Sequence, residues 1–170
     1  EIYTLSLHDA LPISLTGSKE PDLALVGAQF TKWIQESSIP GVLIDVADYS
    51  HMHEGLGVIL AGHEYIFSLD QQEGVNGLRV AYRLNSEDSL ASRIKAGYDL
   101  VKKGAELLAS ANISISVSSE ECYVGVADRL NVTDSVSKDL LAATKEALGE
   151  SVSCLEEASA KALPMIKVKL

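Results

Sequence analysis

Three of the four histidines in this 170-residue chain, His51, His53 and His63, fall within thirteen residues of one another. Asp45, Asp48, Glu54 and Glu64 lie beside them. Imidazole and carboxylate together suit Zn²⁺, Fe²⁺ or Mn²⁺. An H-x-H pair on a strand turns both rings to one side, and a third histidine from the neighbouring strand would complete a three-ligand site with an open position. A metal held that way polarises substrate or lowers the pKa of a bound water, which is what hydrolytic chemistry needs. The candidate ligands are His51, His53 and His63, with Asp48 and Glu64 as auxiliaries and zinc as the representative cofactor.

Strand register decides whether these groups meet. A four-residue loop over 54–57 sets His53 opposite Val58 and His51 opposite Leu60, which leaves His63 opposite Asp48 on the other face. A one-residue bulge at Gly55 or Gly57 reverses that parity and brings the three rings together. The plainer alternative makes His51, His53 and Glu54 solvated loop residues and places His63 and Glu64 on a half-buried strand. The His-Glu pairs at 53–54 and 63–64 are not the helical H-E-x-x-H zinc signature, and Gly55-Leu56-Gly57 is too sparse for a phosphate loop. No G-x-S-x-G elbow is present, and no histidine is near Cys122 or Cys154 in sequence. The two cysteines allow one disulfide at most, and free thiols are the expectation.

The elements that would position these groups read as α+β. Pro21 and Asp22 open a helix whose Leu23, Val26, Phe30, Trp33 and Ile34 share a face, and Pro40-Gly41 stops it. The apolar run 42–46 reads as a strand covered on both faces, interrupted by Asp45. Residues 57–70 read as one bent strand or two strands hinged at Gly62, and 71–77 as a turn signalled by Asn76-Gly77, before a strand over 78–84. Ser86 is placed to cap a long helix over 87–109. Residues 113–117 and 122–126 read as a hairpin across the polar turn 118–121. Thr133 or Asp134 starts a third helix that Gly149 ends. Residues 151–155 and 165–170 are final strands, the last alternating with Lys167 and Lys169 in the manner of a protected edge. From Leu78 onward the order is β-α-β-β-α-β, the split βαβ of ferredoxin-like sandwiches.

With 14 basic and 24 acidic side chains the formal charge is −10. A phosphate-binding face needs clustered Lys or Arg, so this balance argues against nucleic acid and anionic membranes. No apolar run approaches the roughly 20 residues of a membrane span, and no basic-then-apolar leader is visible, so the chain is expected to be cytoplasmic.

Residues 1–14, EIYTLSLHDALPIS, resemble the translated read-through of a sequencing adaptor, as seen in metagenomic gene predictions. Setting aside Glu1 and Asp9 leaves 22 acidic residues and a charge of −8. Residues 15–170 then read as one α+β domain, with no Pro/Gly/Ser linker or repeat inside it. FTKWIQES and the stretch GVLIDVADYSHMHEGLGVILAGHEYIFSLD, residues 41–70, are similar to a group of uncharacterised bacterial proteins with no known activity. The resemblance implies a bacterial cytoplasmic α+β protein and carries over no functional residue. In that group a strand precedes the first helix, where this chain has the adaptor-like segment.

The leading expectation is a soluble α+β domain, homodimeric and with no assigned chemistry, that binds a protein partner or small ligand through one sheet face. The alternative is a metal-dependent enzyme or metal-binding protein built on residues 45–64.

Overall fold

The structure, a computed structural model, describes residues 11–17, 22–49, 51, 57–70, 76–82, 88–113, 117–125, 134–157 and 165–170. In chain order the elements are β1 (Leu11–Gly17), α1 (Leu23–Glu36), β2 (Leu43–Asp48), β3 (Val58–Gly62), β4 (Tyr65–Asp70), β5 (Asn76–Tyr82), α2 (Leu90–Ser110), β6 (Val117–Gly125), α3 (Asp134–Leu148), β7 (Ser153–Glu157) and β8 (Met165–Lys169). The strands form one sheet in the order β2-β3-β4-β5-β1-β6-β8-β7, and every neighbouring pair is antiparallel. This is the α+β class, with three helices against an antiparallel sheet.

Local chemistry sets the helix ends. Asp22 caps α1, its carboxylate accepting from the Ala24 and Leu25 amides at 3.0 and 3.3 Å. The helix stops at Glu36, earlier than Pro40, because Ser37 takes a left-handed conformation (φ 51°) and its amide returns to the Ile34 carbonyl. Ser89, not Ser86, caps α2, accepting from the Ser92 amide at 3.2 Å. Gly149, at φ 119°, supplies the left-handed turn after α3.

Strand register fixes which side chains share a face. One row runs Val46–Leu60–Phe67–Val80–Ile13–Val124–Ile166 and the next Asp48–Val58–Leu69–Leu78–Leu15–Cys122–Val168–Cys154. The helices pack on this face. A Cβ at Gly27 of α1 would touch Val58, and one at Gly104 of α2 would touch Phe67 and Leu78. Val26, Phe30 and Trp33 of α1 are fully buried here, as are Ile94, Val101 and Leu108 of α2. Trp33 meets Phe30 at 4.9 Å and Phe67 edge-on at 5.7 Å, and Tyr65 meets Phe67 at 5.7 Å.

Five expectations are corrected. β2 is not covered on both faces: it is an outer strand, with Val42 and Ile44 more than half exposed. Asn76-Gly77 lies inside β5, so that signal does not mark the turn, and residues 71–75 lie outside the described ones. Residues 118–121 continue β6 instead of turning: Glu121 pairs with Lys169 of β8, and the Glu120 carbonyl accepts from the Leu170 amide. The order after Leu78 is therefore β-α-β-α-β-β among the described residues, not the ferredoxin-like split βαβ. Finally β8 is interior, flanked by β6 and β7, and its Lys167 bonds Glu121 at 3.0 Å instead of guarding an edge.

Gly104 is where α2 comes closest to the sheet. A methyl there would sit 2.9 Å from Phe67, 3.1 Å from Leu78 and 3.4 Å from Trp33. The Gly→Ala gain in helix propensity is about 1 kcal/mol, and overpacking a core costs about 1–3 kcal/mol. Since Phe67 and Leu78 must both give way inside a packed core, we expect Gly104→Ala to lower stability. Urea unfolding checks this: the midpoint should fall at unchanged slope.

Candidate functional site

The β2–β3 hairpin decides the fate of the histidine cluster. Its register pairs Asp48 with Val58, Val46 with Leu60 and Leu43 with Gly62, and the Tyr49 amide donates to the Gly57 carbonyl at 2.7 Å. The connection thus spans 50–56, longer than the four residues expected, and Asp48 faces Val58 instead of His63. His51 is exposed at the 50–56 end of the hairpin. His63 is exposed at the other end, its amide donating to the Val42 carbonyl at 2.9 Å. Five strand steps of about 3.3 Å separate these ends by roughly 16 Å, against the ~4 Å between ligand atoms of one metal. The structure does not bring His51 and His63 together. His53 lies outside the described residues, Asp48 stands at the His51 end, and Glu64 stands at the His63 end. Among the described residues no three metal-ligating side chains converge.

Asp45, which breaks the apolar run of β2, has a structural task. Tyr49 sends its N–H toward β3, so by alternation Val46 sends its own outward. The Asp45 carboxylate accepts that amide at 2.8 Å. A bulge between Leu43 and Asp45 kinks the same strand. The other outer strand, β7, is also bulged, between Cys154 and Glu156. Bulges and side-chain caps of this kind discourage further strand pairing.

Two further surfaces stand out among the described residues. A cleft of about 340 Å³ opens between Pro40-Gly41, Glu64-Tyr65 and the Asp99–Lys103 stretch of α2. The Tyr65 hydroxyl donates to the Pro40 carbonyl across its floor, and Gly41, at φ 98°, lies against the Tyr65 ring where a Cβ would sit 3.2 Å away. Its charges lie at exposed positions, and Asp99 is paired with Lys95 at 2.5 Å, more than half exposed on both sides, so the pair is worth little.

The second surface is the sheet face opposite the helices. Register aligns Ala47–Ile59–Ser68–Arg79–Ser14–Tyr123–Lys167–Glu156 across all eight strands. Ile59 and Ser68 are buried even here, which narrows the accessible surface to the side of β5, β6 and β8. There the Lys167 ammonium lies 5.8 Å from the Tyr123 ring centroid and bonds Glu121. Arg79 stands two strands from Tyr123, roughly 10 Å away. A half-exposed aromatic flanked by Arg and Lys can stack a flat group and meet its negative charge. Sequence reading could not find this trio, because Arg79, Tyr123 and Lys167 become neighbours only through β1 and the β6–β8 pairing.

The thiols are structural. Cys122 and Cys154 share one row with Val168 between them. Two strand spacings, roughly 10 Å, exceed the Cα separation of about 4.4–6.8 Å that a disulfide needs, so the two are not bridged to each other. Burial pushes the Cys122 thiol up to about 12. Burial also raises Tyr98, with Cys122 and Asp99 adding to the effect.

No protein-family model matches the chain, and no curated protein matches it. No helix among the described residues is long and apolar enough to cross a membrane.

Two outcomes follow. The separation of His51 from His63 predicts that Zn²⁺ or a chelator leaves the melting temperature unchanged; a stabilising shift at equimolar zinc contradicts it. Because the Cys122 pKa is raised, its contribution to stability is complete below its ordinary value of 9.0 and is lost as pH rises toward about 12. Thermal melts should therefore fall progressively from pH 9 upward, and Cys122→Ala should flatten that fall.

Proposed function

We propose that this chain is a non-enzymatic binding domain that uses the sheet face opposite its helices. The observation that carries the proposal is the Arg79–Tyr123–Lys167 row. The Lys167–Glu121 bond holds the ammonium over the Tyr123 ring, so part of the surface is ordered before any ligand arrives. The matching ligand is flat and carries an acid group: an aryl carboxylate, or an aromatic–acidic segment of a partner protein. The formal charge of −10 disfavours a polyanion surface as the ligand.

The domain is also proposed to be a homodimer. The C-terminal strand β8 is interior and offers no edge for it. Val42 and Ile44, exposed along β2, support it instead. With the strand bulged and Asp45 covering an outward amide, copies would meet through these side chains and not by strand pairing.

Amide chemical-shift mapping with benzoate and larger aryl carboxylates tests the face. Shifts should concentrate at Arg79, Tyr123 and Lys167, and Tyr123→Ala should weaken binding about tenfold, the loss of roughly 1.4 kcal/mol of stacking and cation contacts. Shifts confined to the Pro40–Lys103 cleft, or none, contradict the proposal. Light scattering should give about twice the 18.2 kDa chain mass at micromolar concentration, and a monomer throughout contradicts the dimer.

A further inference from the structure

The two cations of the polar row are not equivalent. Lys167 faces Tyr123 across the β6–β8 pair, its ammonium 5.8 Å from the ring centroid, and it bonds the Glu121 carboxylate at 3.0 Å. The Lys167 and Glu121 side chains are only 21% and 36% exposed, so solvent screens this pair less than it screens Lys95–Asp99 on α2. Glu121 also stands opposite Lys169 in the register, which sets this acid beside two successive outward lysines of β8. Arg79 lies on the other side of Tyr123, beyond β1, two strand spacings or roughly 10 Å away. Its guanidinium carries five N–H donors in a planar fork, enough to take a carboxylate bidentately alongside other partners.

From this asymmetry we infer that Glu121 selects the ligand of the face. It disfavours an acid attached directly to the stacked ring and favours arylalkyl carboxylates, whose acid travels on a flexible arm to Arg79. The inference rests on reading the Arg79–Tyr123–Lys167 row as a binding face. A ring stacked on Tyr123 places a directly attached carboxylate within reach of Lys167 alone. There it shares the ammonium with Glu121, and two carboxylates on one ammonium repel each other. In a largely aqueous setting that repulsion lowers affinity about threefold to fivefold. A short alkyl arm and the long Arg79 side chain together span the two strand spacings. The acid then meets a cation to which Glu121 is not bonded.

The test titrates the full chain with benzoate and 4-phenylbutyrate by amide chemical shift, each compared with its neutral amide to remove the contribution of the ring. The parent should favour 4-phenylbutyrate over benzoate by about fivefold after that comparison. Glu121→Gln keeps the side-chain length and a carbonyl oxygen for Lys167 while removing the charge. It should strengthen benzoate about threefold to fivefold and leave 4-phenylbutyrate unchanged. Arg79→Gln should do the reverse, weakening 4-phenylbutyrate about tenfold and sparing benzoate. If the acids bind but Glu121→Gln changes neither, or strengthens both equally, this inference is overturned and the binding face stands. If no probe binds the parent or Glu121→Gln, the reading of the face falls, and this inference falls with it.

Discussion

Double pairing of one strand is the constraint on which the rest of the structure depends. Ile13 faces Val80 on one side and Val124 on the other, so the hairpin run that carries α1 and the later run that carries α3 become one sheet only when β1 lies between them. None of these contacts is local, and loop closure must be met before the pairing contributes. Once they form, the two helix-side rows run across the whole sheet, and a single apolar cluster extends from Val26 and Trp33 of α1 to Ile166 and Val168 of β8.

That continuity has consequences on both faces. On the helix side, small residues let large ones meet: Gly104 allows α2 to settle on Phe67, Leu78 and Trp33. The cost is an indole N–H, Trp33 Nε1, that is buried without a hydrogen-bond partner among the described residues. On the other side the same register lines up Arg79, Tyr123 and Lys167, which no single hairpin could do. The outer strands are handled separately. Both are bulged, and at β2 the Asp45 carboxylate covers an outward amide, so the sheet ends where it does for a physical reason.

Much of the local structure was legible in the sequence because it rests on short-range chemistry. The helix start at Asp22, the Val26–Phe30–Trp33 stripe, Gly62 as a bend or a break, and Gly149 after α3 all depend on residues within a turn of one another. What was hidden depends on partners. Residues 118–121 are polar and read as a turn, yet they lie within β6, where Glu121 pairs with Lys169 and the Glu120 carbonyl accepts from the distant Leu170 amide. The alternation at Lys167 and Lys169 fits an edge equally well as an interior strand whose second face is solvated, and only the position of β7 decides between them. The histidines illustrate the same limit: three rings within thirteen residues suggest a site, but the length of one hairpin connection sends His51 and His63 to opposite ends. The Arg79–Tyr123–Lys167 row left no trace in sequence because its members are brought together by β1.

Native-state hydrogen exchange resolved by residue tests this account most directly. If β1 is the separable link between two blocks, its amides should exchange through a partial opening, about tenfold or more faster than those of Phe67 and Leu69 in β4 and with weaker dependence on denaturant. Identical exchange free energies and denaturant slopes for β1 and β4 would show that the strand leaves only when the whole sheet unfolds, and would contradict it.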